Sequence, residues 1–551
     1  MQRTEERTDP TRCVPVKLIV FHHHLRPGGV TDVIVRGTQA VLQHSAAIER
    51  VQIVVGSGDG VAEAAARLHS VSKRVSIEVV PQLAYVGQTR MAEYADPAAS
   101  DATQSGPQGQ TRSEDVTAGA DLLADRILAR LTAFVSDDAV WWVHNPHLGK
   151  NPAFTLALYR SVERFTAQRV VFHIHDFPEA GRYQNLRYLR QAGLMHLYPQ
   201  TPRLRYVCIN TRDRDILRSA GVSDAHHLRN PIEVAHDSQG DLAARAAARA
   251  ELQHRLARQG LPPADRVLLY PVRAIRRKNV LEAALIARLL PGENQLLVTL
   301  PGTSAAERSY SEIVDLAFAK GFVSGLAQAG SRLLDQDFRF TDLQRAADAV
   351  VTSSVQEGFG YQFVSPMLFG SPLVARRLPV TGDVQALLDD HPTYIYDRLL
   401  VPAQTPSLSD PRPYLKLLYR ERLDRLASLL GQRRDELGAQ IDAFLSEPIL
   451  EFSFLNVEVQ LAVLKDALDP GFAEQIAALN PWLADTDASV LREGTSSAVD
   501  RLEAAFGPAA HAAAVDALLS DWQPAGTISW GDDASVFAAF TDPAHLRLLY
   551  T

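Results

Sequence analysis

The sequence predicts an α/β protein made of two doubly wound domains, each with a parallel β-sheet between layers of helices. Three observations support this prediction. The 551-residue chain is too long for a single hydrophobic core. Short apolar runs of strand length alternate with helix-like segments in both parts of the chain. A segment with a proline, His227 to Ile232, separates the two alternating regions and predicts the crossing between domains.

Each predicted strand rests on a short run of apolar residues, as expected for strands buried on both faces. In the first region a glycine turn and a helix from Val30 to Leu42 follow the first strand, and an Ala/Arg-rich helix from about Leu242 to Arg258 opens the second region. The predicted strands are Lys17–His23, Val51–Val55, Ser76–Val80, Ala139–Val143, Arg169–Ile174 and Arg205–Ile209, then Val267–Pro271, Gln295–Leu300, Ala349–Thr352 and Leu373–Ala375.

The domain boundaries follow from changes in composition. Residues 1–15 are charged and lack an apolar core, so we expect a disordered N-terminus. Residues 16–230 form the predicted first domain, in which the Ala-, Ser-, Gln- and Gly-rich segment 96–115 is predicted to be a mobile insertion. Residues 231–430 form the predicted second domain, and residues 431–551 are predicted to be a helical C-terminal extension.

The composition is that of an ordinary globular protein, with 46% hydrophobic and 22% charged residues. The net charge of −8 argues against a general nucleic-acid binder. The sequence has no run of 18 apolar residues, and its start does not resemble a secretory signal. Only two cysteines occur, so a cytoplasmic location is expected. The Arg-rich stretch 182–218 leaves peripheral contact with a membrane open, although a solvated helix face is favoured.

The most informative motif is Glu357-Gly358-Phe359-Gly360, which follows the predicted strand Ala349–Thr352 and precedes a predicted helix. Glycines let the main chain approach a ligand closely, and a helix N-terminus presents N–H groups to an anion. A carboxylate beside such N–H groups suits a ligand that carries both phosphate and hydroxyl groups. A nucleotide-sugar has this chemical make-up.

Two further motifs flank predicted strands. Gly28-Gly29 follows the first strand, where a plain tight turn is the simpler interpretation. A loop with four cations in six residues, from Arg273 to Lys278, follows the first strand of the second domain. Fixed cations stabilise the negative charge of a departing diphosphate more in the transition state than in the ground state.

Taken together, these motifs resemble retaining glycosyltransferases of the GT-B fold, in the group called family 4 (glycosyl transferases group 1). The resemblance spans roughly residues 16–430 and implies two Rossmann-like domains that face each other across a cleft. It also implies a nucleotide diphosphate sugar as co-substrate and no metal or other cofactor. The implied donor-binding residues are Gly28, Gly29, Arg273, Lys278, Glu357, Gly358, Phe359, Gly360 and Ser365.

The resemblance also implies the roles of single residues. His175, at the end of the predicted strand Arg169–Ile174, is similar to the family's histidine that points at the donor sugar. The implied catalytic group is therefore His175, Glu357, Arg273 and Lys278. Ser365 stands where the family carries a second glutamate that holds ribose hydroxyls, so the nucleotide end is expected to be held differently.

The acceptor side is predicted from a polar loop after the strand Ala139–Val143. His147, Lys150 and Asn151 are candidates, together with Asp176 and the loop that continues to Arg182. A purely structural interpretation is also sound, because Asn151 before Pro152 fits a helix N-cap. The acceptor itself is left open as a small molecule, a glycan or a lipid.

The expected function is transfer of a hexose from a nucleotide diphosphate sugar, with retention of anomeric configuration. Two alternatives stay open. One is a degenerate GT-B protein that acts as a binding or scaffold subunit, for which Ser365 is the main support. The other is a GT-B glycan or disaccharide synthase or phosphorylase. A nucleoside-triphosphate hydrolase is disfavoured, because the sequence has no Walker-type phosphate loop.

Overall fold

The computed structural model describes residues 16–95, 113–233, 242–489, 491, 499–520, 522 and 526–542. It divides into two compact units. The first comprises Met1–Glu233 and Glu503–Ala539, and the second comprises Val234–Leu502 and Phe540–Thr551. The predicted N-terminal segment 1–15 and residues 96–112 of the predicted insertion lie outside the described residues. The domain boundaries drawn from the sequence stay predictions.

The described strands are short and mostly buried, as the apolar runs of the sequence indicate. They are, in chain order, β1 (Val16–His22), β2 (Ile48–Val55), β3 (Val75–Val79), β4 (Ala139–His144), β5 (Arg169–Ile174), β6 (Pro199–Gln200), β7 (Leu204–Cys208), β8 (Ala225–His227), β9 (Arg266–Arg273), β10 (Asn294–Leu300), β11 (Gly325–Leu326), β12 (Ala349–Thr352), β13 (Leu373–Arg376), β14 (Thr393–Tyr396), β15 (Leu400–Pro402), β16 (Ile449–Glu451) and β17 (Ser529–Trp530).

Helices connect most of these strands. The described α-helices are Gly29–His44, Val61–His69, Gln88–Glu93, Ser113–Leu131, Pro152–Arg164, Tyr183–Gln191, Thr211–Ser219, Leu242–Arg258, Val280–Leu289, Ala305–Ala319, Ala329–Leu333, Phe340–Ala346, Tyr361–Phe369, Gln385–Leu388, Arg412–Arg425, Ala427–Leu430, Arg433–Phe444, Val457–Asp466, Pro470–Leu479, Trp482–Ser489, Val499–Phe506, Pro508–Leu519 and Asp533–Phe540. Within the described residues, no helix combines the length and the hydropathy needed to cross a bilayer.

The main sheet of the first unit has the strand order β3-β2-β1-β4-β5-β7-β8, and all neighbouring strands are parallel. Every residue of β1 except Lys17 is buried, as expected for a central strand covered on both faces. The carboxyl ends of β1, β4 and β5 meet at one edge of this sheet. His22, His144 and His175 lie at or just after these three strand ends.

The main sheet of the second unit has the order β11-β10-β9-β12-β13-β14, again with parallel neighbours. Its central strands β9 and β12 end at Arg273 and Thr352. The predicted α/β class with two parallel sheets is therefore confirmed. Ligands of such sheets bind at the carboxyl ends of the strands, so the loops after β9 and β12 are the place to look for a site.

A buried ionic network anchors the second unit behind these loops. Oε1 of Glu282 accepts hydrogen bonds from Nη2 of Arg376 at 2.6 Å and from the hydroxyl of Tyr396 at 2.7 Å. Nη1 of Arg376 lies 2.7 Å from Oε1 of Glu451, and neither Arg376 nor Glu282 is accessible to solvent. Nδ2 of Asn279 donates to Oε2 of Glu282 at 2.7 Å. Because Asn279 directly follows Lys278, this network fixes the end of the cationic loop.

The helix Pro508–Leu519 belongs to the first unit although the second unit precedes it in the chain. It packs against the helix Gly29–His44, and its apolar residues join the core that covers β1 and β2. Oδ2 of Asp516 accepts from the main-chain N–H of Ala46 at 3.0 Å. Nη1 of Arg205 donates to the main-chain oxygen of Ser520 at 2.7 Å. These contacts tie the segment to the turn before β2 and to β7.

Candidate active site

The loop after β9 carries four cationic side chains with different partners. Nη1 of Arg273 lies 3.3 Å from Oε2 of Glu307, and the Arg273 side chain is 42% exposed. Arg276 is buried and donates to the main-chain oxygens of Ser453 and Leu455, at 3.4 and 3.1 Å. Arg276 therefore serves the packing of the unit, whereas Arg273 stays accessible at the strand end.

The carboxylate of Glu357 binds the other two cations of this loop. Its Oε1 accepts a short hydrogen bond from Nζ of Lys278, and its Oε2 lies 3.4 Å from Nη1 of Arg277. The Lys278 and Glu357 side chains are 10% and 9% exposed, and Arg277 is 36% exposed. The structure thus brings together Lys278 and Glu357, two predicted site residues, and adds Arg277, which the sequence did not single out.

Both members of this ion pair are charged at neutral pH. Burial lowers the pKa of Lys278 to about 8, and the neighbouring Glu357 carboxylate opposes that shift. Burial would raise the pKa of Glu357, but the charges of Lys278 and Arg277 outweigh it and hold the pKa below its ordinary value. An ammonium carries three N–H groups, so Lys278 can bind an anion while it stays paired.

The Gly358–Gly360 loop ends in a helix with an open N-terminus. Gly360 has a φ of 83°, and a Cβ at this position would lie 2.9 Å from Cδ2 of Phe363. Both facts favour glycine. No side chain caps the helix Tyr361–Phe369, which begins beside the buried ring of Phe359. Such a helix end attracts anions.

Ser365 lies one turn into this helix and is half-buried. Its hydroxyl makes no hydrogen bond to another described residue. Gln362, three residues earlier on the same helix face, donates its amide to the main-chain oxygen of Pro271 at 3.2 Å. The Gln362 Oε1 atom is buried without a hydrogen-bond partner among the described residues. The helix face where the resemblance expects a second carboxylate therefore presents neutral groups.

In the first unit, His175 is held by residues at the end of β4. Nε2 of His175 and Nδ1 of His144 are 2.8 Å apart and share a hydrogen bond. Oδ1 of Asn145 accepts from the main-chain N–H groups of His175 and Asp176, at 2.7 and 3.2 Å. Burial lowers the pKa of His175 to about 4, so its ring is neutral at pH 7 and can both donate and accept.

His144, His173 and His175 are buried, and one ring nitrogen of each lies within 4.8 Å of the others. Neutral histidines at this separation are potential metal ligands. However, the indole N–H of Trp142 donates to Nδ1 of His173 at 3.0 Å. A neutral His173 then carries its proton on Nε2 and offers no free lone pair. The arrangement favours a hydrogen-bonded histidine cluster over a three-histidine metal site.

The Gly28-Gly29 turn precedes the helix Gly29–His44, which no side chain caps at its N-terminus. A Cβ on Gly29 would meet no atom within 4 Å, and one on Gly28 would only reach the main-chain oxygen of Arg26 at 3.9 Å. Gly28 is extended, with a φ of 166°. The local packing therefore does not require either glycine, and the turn leaves open space before the helix end.

Two predicted acceptor-side residues have structural partners. Asn151 caps the helix Pro152–Arg164 by accepting from the N–H of Phe154 at 3.1 Å. Its amide donates to the main-chain oxygens of Gln82 and Ala84, at 2.9 and 2.8 Å. His147 is 1% exposed, and burial lowers its pKa to about 3. Acceptor roles for these two residues stay predictions.

The other two predicted acceptor-side residues lie nearer the surface. Oδ1 of Asp176 pairs with Nη2 of Arg182 at 2.7 Å, and both side chains are about two-fifths exposed, at 40% and 39%. Nζ of Lys150 lies 5.6 Å from the centre of the Tyr85 ring, in range for a cation–π contact. Tyr85 carried no sequence signal, because its position beside Lys150 depends on how distant loops meet.

The chain is similar to a known enzyme in sequence. It is 30% identical over 344 residues to the mannosylglucosyl-3-phosphoglycerate synthase of Petrotoga mobilis, a match that covers 61% of this chain. The match spans 65% of the relative's length, so somewhat less than two thirds of that protein is represented. No family model matches the chain.

Solved structures give further similarities at low sequence identity. The sucrose-phosphate synthase of Thermosynechococcus elongatus matches with a TM-score of 0.45 and 14% identity, over 85% of this chain and 99% of that one. Anabaena HepE in complex with UDP-glucose matches with a TM-score of 0.42 and 14% identity, over 86% and 99%. The catalytic domain of Arabidopsis thaliana starch synthase IV, bound to ADP and acarbose, gives 0.43 and 10%, over 86% and 100%.

Proposed function

We propose that this chain is a glycosyltransferase that moves a hexose from a nucleotide diphosphate sugar to an acceptor, with retention of anomeric configuration. Within the glycosyltransferases, we propose that it is a retaining GT-B enzyme of family 4. Its support from sequence is the 30% identity over 344 residues to a synthase named for a mannosylglucosyl derivative of 3-phosphoglycerate. Its support from geometry is the arrangement of charges at the carboxyl edge of the second sheet.

One observation carries the proposal: the buried Lys278–Glu357 pair beside Arg277, next to the open helix end at Gly360. A diphosphate needs fixed cations and N–H groups, and a sugar needs a carboxylate that accepts from hydroxyl groups. The loops after β9 and β12 supply both within one unit.

In the proposed reaction, Lys278, Arg273 and Arg277 bind the diphosphate oxygens and the helix end at Gly360 adds main-chain donors. Negative charge grows on the leaving diphosphate as the glycosidic bond breaks, so fixed cations lower the barrier. Glu357 accepts from hydroxyl groups of the transferred sugar. These protein cations take the part that a metal ion plays elsewhere, so we propose that transfer does not depend on a metal.

We further propose that the first unit carries the acceptor-binding residues and that His175, whose neutral ring is hydrogen-bonded to His144, binds a sugar hydroxyl. The acceptor attacks from the face that the phosphate leaves, and a phosphate oxygen takes the acceptor proton. The alternative of a non-catalytic binding subunit keeps the same donor site without this step.

The test measures binding and turnover separately. Nucleoside diphosphates and their hexose derivatives are screened by thermal shift, since a ligand at 100 times its Kd adds about 2.7 kcal/mol of stability. For the best donor, release of nucleoside diphosphate is then followed in the wild type and in Lys278→Ala. Loss of one fixed donor to the developing charge is expected to slow turnover about 100-fold, or about 3 kcal/mol.

The matched control is Lys320→Ala, which removes an exposed lysine of the same unit. It is expected to leave turnover within twofold of the wild type. Full turnover in Lys278→Ala would contradict the assignment of Lys278 to the diphosphate site. Tight donor binding with neither hydrolysis nor transfer to any tested acceptor would favour the non-catalytic binding subunit.

A further inference from the structure

Two loops and the helix Tyr183–Gln191 of the first unit are tied together at the carboxyl edge of its sheet. The segment 82–86 receives both amide hydrogen bonds of Asn151, and the N–H of Val86 donates to the main-chain oxygen of Lys150 at 3.1 Å. The hydroxyl of Tyr188 donates to the main-chain oxygen of Val86 at 3.0 Å. Nδ2 of Asn185 donates to the oxygen of Leu148 at 2.8 Å. These bonds fix the positions of the side chains that the loops carry.

Lys150 is a half-buried cation without a carboxylate partner. In the described part of the chain, no carboxylate oxygen lies within 4 Å of its Nζ. Burial lowers the pKa of Lys150, the neighbouring charge of Arg182 lowers it further, and the more distant carboxylate of Asp176 opposes both effects. The ring of Tyr85 is its nearest recorded partner, at 5.6 Å. A lysine held in this way has its N–H groups free for an anion.

Arg182 forms an ion pair but does not use all of its N–H donors. Only its Nη2 donates to a described residue, the carboxylate of Asp176. An arginine has five N–H groups in a planar fork, so the rest of the fork remains available. Arg26, nearby in the same cluster, gives both Nε and Nη2 to Asp59 at 2.8 and 2.6 Å. Arg182 is paired with Asp176 and Arg26 with Asp59, so Lys150 gives this cluster one positive charge more than its carboxylates neutralise.

The hydroxyl proton of Tyr85 is also free. The main-chain N–H of Arg26 donates to Nδ1 of His24 at 3.2 Å, so a neutral His24 carries its proton on Nε2. Nε2 of His24 lies 3.1 Å from the hydroxyl oxygen of Tyr85 and therefore donates to it. The Tyr85 hydroxyl then accepts from His24 and can donate its own proton to a further group.

We propose that Lys150, Arg182 and Tyr85 form a subsite that binds a phosphate or carboxylate group of the acceptor. The three side chains supply an unpaired ammonium, the open part of a guanidinium fork and a free hydroxyl donor, on loops that are fixed before any ligand binds. Charge-assisted hydrogen bonds to such donors are the strong ones. The assignment of the anion to the acceptor rests on the proposed glycosyl transfer, whereas the anion site itself does not.

The cluster is small, which favours a small anion as its ligand. The chain as a whole has a net charge of −8, so this surplus is local and does not suit a polyanion. A half-buried ammonium fits a small soluble anion better than a flat lipid surface. A phosphorylated carboxylic acid carries both anionic groups, and the relative from Petrotoga mobilis is named for such an acid, 3-phosphoglycerate.

The test is calorimetric titration with 3-phosphoglycerate at constant ionic strength, with glycerol as the uncharged comparison. The full-length wild type is compared with Lys150→Gln, Tyr85→Phe, Lys278→Ala and Lys73→Gln. Lys73→Gln is the matched control, because it removes an exposed lysine just before β3, at the opposite edge of the same sheet. Circular dichroism checks that each variant is folded.

We expect Lys150→Gln to weaken 3-phosphoglycerate binding about tenfold or more and Tyr85→Phe to weaken it about threefold. Lys73→Gln and Lys278→Ala should bind like the wild type. Absence of binding at about 10 mM in the wild type would overturn the proposal. So would loss of binding in Lys278→Ala with retention in Lys150→Gln, because the anion would then occupy the cations of the second unit.

A donor titration separates this proposal from the proposed function. Nucleoside diphosphate binding should be unchanged in Lys150→Gln and lost in Lys278→Ala. If no nucleotide-sugar binds the wild type while Lys150→Gln still abolishes 3-phosphoglycerate binding, the transferase assignment fails and the anion subsite stands. Binding of anionic vesicles that depends on Lys150, without binding of 3-phosphoglycerate, would replace the acceptor subsite with a lipid contact.

Discussion

Trp142 donates its indole N–H to Nδ1 of His173 across 3.0 Å, inside the core of the first unit. An indole nitrogen is a donor only, so this bond decides which nitrogen of His173 carries the proton. The bond therefore controls whether three clustered histidines can act as metal ligands.

Trp142→Phe tests this control. The change leaves Nδ1 of His173 buried and unpaired, which should cost about 1–3 kcal/mol of unfolding free energy beyond the lost packing. It also lets the ring take the other tautomer, so Zn²⁺ should raise the melting temperature of this variant. Trp141→Phe is the control, because Trp141 is equally buried and donates to the main-chain oxygen of Phe134 at 3.0 Å. Stoichiometric Zn²⁺ binding by the wild type would contradict the tautomer assignment.

Donor binding should weaken above pH 8. Burial lowers the pKa of Lys278 to about 8. The ammonium that binds the diphosphate therefore loses its proton as the pH rises through this value. Lys278→Arg should bind nucleoside diphosphate with little change up to pH 9.5, because a guanidinium stays protonated.

A second variant tests the cause of that pH dependence. Glu357 raises the pKa of Lys278, so Glu357→Gln should move the loss of nucleoside diphosphate binding to lower pH. Calorimetric titrations from pH 6 to 9.5 would show both shifts. An identical pH profile in the wild type and in Lys278→Arg would show that Lys278 does not bind the diphosphate.

The first unit should lose stability in mild acid. Burial lowers the pKa of His23, His175 and His511 to about 4, and that of His147 to about 3. Between these values and the ordinary 6.5, the unfolded chain binds protons that the folded chain does not. Stability is therefore fully present above pH 6.5 and falls as the pH drops through the folded values, by up to about 1.4 kcal/mol per pH unit for each histidine.

Denaturant unfolding between pH 4 and 7 would measure this slope. His147→Phe should reduce the slope by the share of one histidine, since both ring nitrogens of His147 are buried without a partner among the described residues. A free energy of unfolding that does not change over this range would mean that these histidines are not buried in the neutral form.

Breaking the ionic network of the second unit should be costly. Glu282→Leu removes one of the two carboxylate partners that the described residues give the inaccessible Arg376, and loss of one partner of a buried pair typically costs about 3–5 kcal/mol. Asp397→Ala is the control, because it removes a pair with Arg377 in which both side chains are more than half exposed. That change should cost less than about 1 kcal/mol. Equal effects of the two variants on urea unfolding would contradict the expectation that the buried network stabilises the unit more than the exposed ion pair does.

Local sequence predicted the strands well because parallel strands are continuous apolar runs, as in β1 and β9. It also placed Lys278 and Glu357 in one site, since both follow neighbouring strands of the same sheet. The local pattern alone did not choose among the cations of the loop, whereas the resemblance singled out Arg273 and Lys278. Arg276 turns inward because the main chain at Ser453 and Leu455, far along the sequence, offers it acceptors.

The same limit applies to the first unit. The pairing of His144 with His175 depends on the register in which β4 lies beside β5, with His144 opposite His173. No spacing within either strand carries that information. Tyr85 reaches Lys150 only because Asn151, which the sequence suggests as a helix cap, also binds the segment 82–86 through its amide.

The return of residues 503–539 to the first unit has a consequence for how the protein is made. The first unit leaves the ribosome early, but the helix Pro508–Leu519 that covers Gly29–His44 emerges only after Val234–Leu502 has been synthesised. Domains generally fold as they emerge. The apolar face around Val41 and Leu42 therefore stays uncovered until the helix Pro508–Leu519 has been synthesised, and until then the nascent chain carries an exposed surface that chaperones would recognise.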